Sequence, residues 1–318
     1  LIDLHHEHSP FLIFFDVAII FNIKMKYISK FRKDFKIDSK ADLSNVAVAV
    51  DAIYCAIEIA TSHLGDFDPS NNSTGFRIHT FINLLGRIFE HAQAMLVAIS
   101  TGSPASAEAL ARIVVEGSIN VIYLADHGDS GTLIQFFRSW TNEHEKKLAD
   151  WMHKIQGKEY AERVSFMIEE RRDLVAGLKE IIMNIETQCD IDLPNSPEWP
   201  KSLFKRFELL GRETDYYESY HRLSGASHIT AEDTLTWLIS LDMPDEFKYR
   251  IGKEALAYSV MMTRISCMFF VDAVAASVVS YGRSVNNDLK DQKLKLVKAV
   301  QEIARDAGVP LSNGNIST

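Results

Sequence analysis

The sequence predicts an all-α fold, a multi-helix bundle of about nine to ten helices that carries a long charged helical hairpin. Three observations predict it. From Asp42 onward apolar residues recur at helical spacing over long windows. Alternation of the β type, bounded by turns, is almost absent, and the breaks fall at clusters of Gly, Pro, Ser and Asp.

The first clear helix is predicted over 42–64, started by an Asp/Ser-rich cap region and stopped by the stretch from Gly65 to Asn72 with Pro69. A second covers 76–100. Thr101-Gly102-Ser103-Pro104 then supplies a stop, a capping serine and a proline suited to a first turn, so a third helix runs over 104–125. His127-Gly128-Asp129-Ser130-Gly131 ends it. Two charged helices follow, 132–156 (with NEHEKKLADWMHK) and 158–188 (with IEERRDL), and their pattern predicts a hairpin with one wet face.

The segment DIDLPNSPEWP, 190–200, holds three of the eight prolines and reads as a long surface loop. Short helices are predicted near 202–211, 213–223 and 231–241, then a long one from Pro244 to Tyr281 and an amphipathic one over 287–307. The end, 311–318, reads as a disordered tail. The run from Ala255 to Tyr281 is long enough to span a bilayer, but Arg264 and Asp272 stand inside it, eight apart and facing the same way. A buried core helix is therefore expected, with no membrane partner.

Residues 1–40 read as an N-terminal extension ahead of a single helical domain over 41–310. The apolar run from Phe11 to Ile23 contains Asp16, is shorter than the roughly 20 residues a spanning helix needs, and follows His5, His6, Glu7 and His8 where a secretory signal would have basic residues. Met25 then serves as a natural first residue; the alternative is an arm that packs on a partner subunit.

Composition narrows the function classes. The chain is 47% hydrophobic and 24% charged, as an ordinary globular protein is, and its net charge of −9 repels phosphate backbones at long range. A nucleic-acid site must then be local. Cys55, Cys189 and Cys267 are odd in number and far apart, which suits neither a disulfide framework nor a zinc site and points to a cytoplasmic setting. No glycine-rich phosphate loop, zinc-protease helix, EF-hand loop or nucleophile elbow occurs, so no cofactor and no metal is expected. The His5–His8 cluster is read as part of the extension, and His79, His91, His144 and His153 as single structural or surface residues.

Two constellations remain. On the third helix Arg112 and Glu116 stand at i,i+4 on one face. They form either a clamp between helices or the lining of a polar pocket in which Arg112 holds an anion. The second is YYESYHRLSGASHIT, Tyr216 to Thr230. Arg222 and His228 are six positions apart, about 600° around a helix, which separates them in azimuth. A break at Gly225 would bring them together, with Tyr220, His221, Ser224 and Ser227 as nearby hydrogen-bonding groups. Such a pair suits cleavage of RNA without metal, Arg steadying the phosphorane charge and His moving the 2′-hydroxyl proton. The alternative is a helix-end histidine that satisfies backbone carbonyls.

The pattern Ala111-Arg112…Glu116 with Tyr123-Leu124, joined to Tyr220…Arg222-Leu223-Ser224…His228, resembles an uncharacterised bacterial all-helical family, a domain of unknown function with an Arg-x-x-x-Glu helix and a Tyr-Arg-x-x-Ser-x-x-x-His signature. The resemblance covers about Val46 to Tyr281. The Arg…His spacing is also similar to that of HEPN ribonucleases, helical proteins of toxin–antitoxin and antiphage systems that act as dimers. That resemblance implies catalytic Arg222 and His228, RNA as substrate, and a homodimer with an antitoxin or other protein partner; Leu223 differs from the polar residue usual there. The expectation is a metal-independent endoribonuclease or toxin-like effector of a bacterial defence system; the alternative is a non-catalytic helical interaction or sensor module. Dimerisation is expected from the apolar content of 104–125 and 244–281.

Overall fold

The computed structural model describes residues 26–65, 72–226, 235, 238–284 and 286–308. The His5–His8 cluster, the run from Phe11 to Ile23, the Pro69 break, Ser227, His228, most of the helix expected over 231–241 and the tail 311–318 lie outside them. The described residues are all-helical, without a strand.

The elements are α1 (Ile28–Asp34), α2 (Ser44–Gly65), α3 (Asn72–Ser100), α4 (Pro104–Asp126), α5 (Ser130–Ile155), α6 (Ala161–Gln188), α7 (Leu203–Leu209), α8 (Glu213–Asp215), α9 (Arg222–Ala226), α10 (Asp245–Ser280) and α11 (Asn287–Ala307). Between α8 and α9 the residues Tyr216–His221 form a π-helical segment, and a 3₁₀ turn at Leu193–Asn195 interrupts the proline-rich loop.

The core sits where α4 and α10 run against each other, with α3 against both and with α2 and α11 against α10. Val114, Val115 and Ile119 of α4 and Phe270 and Val274 of α10 all lie in this core, essentially without exposure. Each such side chain contributes roughly 1.5–3 kcal/mol. Helices α3 and α4 approach closely at Gly117, where an added Cβ would lie 2.8 Å from Ile88 Cγ1. Much of the apolar content of 104–125 and 244–281 is buried in this core, while Ile113, Phe247, Tyr249 and Val279 stay exposed.

Both charges that made 255–281 a poor membrane span reach α11. Arg264 donates to the carbonyls of Ala299 (2.6 Å) and Asn45 (3.1 Å), while Asp272 pairs with Lys293 (2.9 Å) and Arg212 (3.2 Å). By length and composition α2 and α10 could each cross a membrane, yet most of either apolar window is buried in this fold.

Two local expectations change. Part of the expected extension is tied to the bundle: Phe31 and Tyr27 lie in the main core, and buried Asp51 of α2 accepts the backbone N–H groups of Tyr27 (2.8 Å) and Lys26 (3.2 Å) just ahead of α1. A first-turn N–H cluster attracts a carboxylate, so this start is anchored from across the fold. Ser103 stands at the start of α4 as expected, but its side chain makes no capping bond; Pro104 alone begins the helix.

The charged helices α5 and α6 form the expected hairpin, with a small core of its own built from Leu148, Ile155, Ile168 and Val175. Its base is tied to α3 by the Ser73–Ser130 hydroxyl pair (2.6 Å) and by Asn72 Nδ2 donating to the Gln188 carbonyl (3.2 Å).

Candidate functional site

The i,i+4 ladder on α4 is longer than the two residues the sequence singled out. Glu108, Arg112 and Glu116 stand one turn apart, all half-buried, beneath the segment from Trp199 to Ala226. Arg112 and Glu116 do not meet directly. Arg112 Nη2 donates to the Tyr220 hydroxyl at 2.9 Å, and that hydroxyl donates to Glu116 Oε2 at 3.1 Å. The guanidinium carbon of Arg112 lies 4.9 Å from the Tyr220 ring centre.

Burial pushes the Tyr220 hydroxyl above its ordinary pKa, against the pull of the Arg112 hydrogen bond. A neutral phenol between a guanidinium and a carboxylate acts as acceptor to one and donor to the other. The cluster thus joins α4 to the π-helical segment.

Arg206 of α7 completes the surroundings, and sequence reasoning missed it. It is only 7% exposed, donates Nη1 to the Pro200 carbonyl at 2.8 Å, and lies 4.6 Å from the Trp199 ring centre. Burial lowers its pKa, while Glu116, Tyr220 and Tyr123 support its charge. A lone arginine in KSLFKRFEL gives no periodic signal that it points inward.

The π-helical segment faces two ways. Ser219 is buried and Tyr220 turns to α4, whereas Tyr217, His221 and Arg222 are exposed. The Tyr217 and His221 rings are 6.1 Å apart. A π turn holds one extra residue, so it shifts the register of everything after it and recurs at functional sites. His221 ends the π segment and Arg222 follows it, both exposed. Arg222 also acts on Tyr258 of α10, whose hydroxyl is pushed to about 12 by burial, with Glu108 adding to the rise and Arg222 opposing it. Ser259 donates to Glu108, so α10 closes the ladder at its other end.

The sequence placed the irregularity of this stretch at Gly225. The described part of α9 runs from Arg222 to Ala226, a π turn precedes it, and the residues beyond Ala226, on which a break at Gly225 would act, lie outside the described residues. Leu223 is fully buried and Ser224 half-buried. The structure brings together Arg112, Glu116 and Tyr220, and sets His221 and Arg222 outside them; Ser227 and His228 fall outside the described residues. Among the described residues no three His, Cys, Asp or Glu side chains converge as a metal ion needs.

These features define a helical-bundle protein whose polar cluster holds a π-helical segment with Tyr217, Glu218, His221 and Arg222 exposed on it or just after it. A family model matches residues 79–246, more than half of the chain, and the chain belongs to that family, DUF5677, a family of unknown function. The matched span holds the hairpin and Glu108, Arg112, Glu116, Arg206, Tyr220 and Arg222; Tyr258 and Ser259 lie beyond it. No curated protein and no solved structure matches the chain.

Proposed function

We propose that this chain is a metal-independent endoribonuclease, a toxin-like effector of the kind found in bacterial defence systems, acting at the surface that carries Arg222. The observation that carries the reading is the exposed pair His221 and Arg222, beside Tyr217, on a π turn bolted to α4 through Tyr220. Arginine and aromatic rings together are what single-stranded RNA meets, the one on phosphate and the other on bases.

In the reaction the ribose 2′-oxygen attacks phosphorus as an imidazole takes its proton. The P–O2′ bond forms, the P–O5′ bond breaks, and the 5′-oxygen leaves with a proton, giving a cyclic phosphate and a 5′-hydroxyl end. Arg222 holds the extra negative charge at phosphorus. His228 is assigned the proton transfer, as its spacing from Arg222 suggests, with His221 as the second imidazole.

The test is cleavage of single-stranded RNA by purified protein in excess chelator. Arg222→Ala and His228→Ala should each lower the rate about 10²-fold or more while thermal unfolding stays unchanged. No cleavage, or cleavage indifferent to both changes, overturns the reading. A second reading is a non-catalytic interaction or sensor module, in which the Arg112–Tyr220–Glu116 hydrogen bonds serve to join α4 to the π-helical segment.

A further inference from the structure

Helix α3 carries a second stripe besides the one it buries. Ile78, Phe81, Leu85 and Ile88 lie in the core, whereas Phe76, His79, Thr80, Asn83 and Leu84 follow the spacing i, i+3, i+4, i+7 and i+8 on a neighbouring face. Phe137 of α5 meets that face from the other side. Together the six residues line an open trench of about 400 Å³.

The walls of the trench are apolar and braced. The Phe76 and Phe137 ring centres stand 6.2 Å apart, with the rings inclined by 50°. Phe137 leans on Phe136 (5.3 Å), and Phe136 on Trp199 of the proline-rich loop (4.8 Å). Thr80 returns its hydroxyl to the Phe76 carbonyl (2.8 Å), which leaves its methyl for the trench. Two polar groups remain, His79 and Asn83, one turn apart. Both are exposed, and neither side chain makes a hydrogen bond among the described residues.

Apolar walls with a few free polar groups at the edge are how small-molecule sites are built. No Lys, Arg, Asp or Glu is among the lining residues, so the complementary ligand is neutral. The aromatic walls suit a flat ring, and the Asn83 amide offers a donor and an acceptor side by side. That pair matches adenine, whose N6 amino group donates and whose N7 accepts, whereas a 6-oxo purine presents two acceptors at the same edge. We propose that the trench between α3 and α5 binds the adenine ring of a neutral nucleoside, held against Phe76 and Phe137 and read by Asn83, with His79 as a second hydrogen-bonding group. The inference is independent of the nuclease reading, whose residues stand on other elements.

The experiment is equilibrium dialysis of the full chain against adenosine, inosine and AMP. Adenosine should bind one to one, inosine about tenfold or more weaker, and AMP no tighter than adenosine, because no cation lines the trench. Asn83→Ala, at an exposed position, should keep the helix content and bind the two nucleosides equally. Phe137→Leu keeps most of the volume but loses the flat ring, and should weaken adenosine and inosine alike. Adenosine that does not bind, inosine that binds as tightly, AMP that binds more tightly, a preference for adenosine that survives Asn83→Ala, or binding untouched by Phe137→Leu each overturns the inference.

Discussion

Arg112 donates a 2.9 Å hydrogen bond to the Tyr220 hydroxyl while its guanidinium carbon stands 4.9 Å from the centre of the same ring. The tyrosine meets the arginine with both its polar tip and its π face. Tyr220→Phe keeps the ring contact and removes the hydroxyl, depriving Arg112 of this acceptor and Glu116 of this donor. The expected cost is about 1–3 kcal/mol, read as a fall in the urea midpoint. Arg222→Ala, by contrast, should stay within about 0.5 kcal/mol, as exposed positions do. A Tyr220→Phe protein as stable as wild type would show that the clamp is idle.

How far this region was legible in the sequence follows from the kind of signal each part carries. The i,i+4 spacing of Arg112 and Glu116 is periodic, so their shared face could be read directly. Glu108, one turn earlier, extends the same ladder and could have been included. The π turn at Tyr216–His221 has no such signature, since one inserted residue leaves the apolar pattern of YYESYHRL intact, and Gly225 drew attention instead. Asp51 is buried through partners distant in sequence, Tyr27 and Lys26, and Arg206 through Pro200 and Trp199 of the loop just before α7; neither contact leaves a periodic signal. The long helices were the easy part: α10 begins and α11 ends within a residue of the expected positions because Pro244 and Gly308 mark them.

At the hairpin base Asp129 accepts from Thr132 N (2.8 Å), Thr132 Oγ1 (3.0 Å) and Ser196 Oγ (2.9 Å). Burial alone would raise its pKa; the bonds from Thr132 and Ser196 outweigh that and hold it below the usual carboxylate value. A carboxyl depressed by folding lends stability above its unfolded pKa, near ~4, and loses it as pH falls through the folded value. Asp129→Ala should cost about 1 kcal/mol at neutral pH and less at pH 2, by urea unfolding. Gly131→Ala tests the same junction, because its new Cβ would lie 1.9 Å from Ser196 Oγ and 2.5 Å from Ser196 Cβ. Moving that loop should cost about 1–3 kcal/mol.

Alkaline pH acts through the tyrosines. Burial raises Tyr54 and Tyr258 to about 12, and Tyr220 and Tyr281 also lie above the ordinary value, again chiefly through burial. A phenol whose folded pKa is raised contributes stability that is whole below the unfolded value, near ~10, and is lost as pH rises through the folded one. Unfolding midpoints should therefore decline between pH 10 and about 12. Tyr258→Phe should flatten that decline; an unchanged slope would contradict the assignment.

Arg264 makes the sharpest claim about the core, because a cation only 8% exposed has no carboxylate within ion-pair distance among the described residues. Its guanidinium instead donates to the Ala299 and Asn45 carbonyls, crossing from α10 to α11 and to the start of α2. Burial lowers its pKa, with the charge of Glu302 opposing, and an arginine still remains charged at any pH the fold survives. Truncation removes both hydrogen bonds and most of a long side chain between three helices, so Arg264→Ala should destabilise by roughly 2–4 kcal/mol. Arg264→Met fills the space without donors and should recover part of that loss. If Arg264→Met matches wild type in urea unfolding, the arginine contributes volume alone and the carbonyl bonds contribute nothing net; if it falls near Arg264→Ala, the bonds are what join α2, α10 and α11.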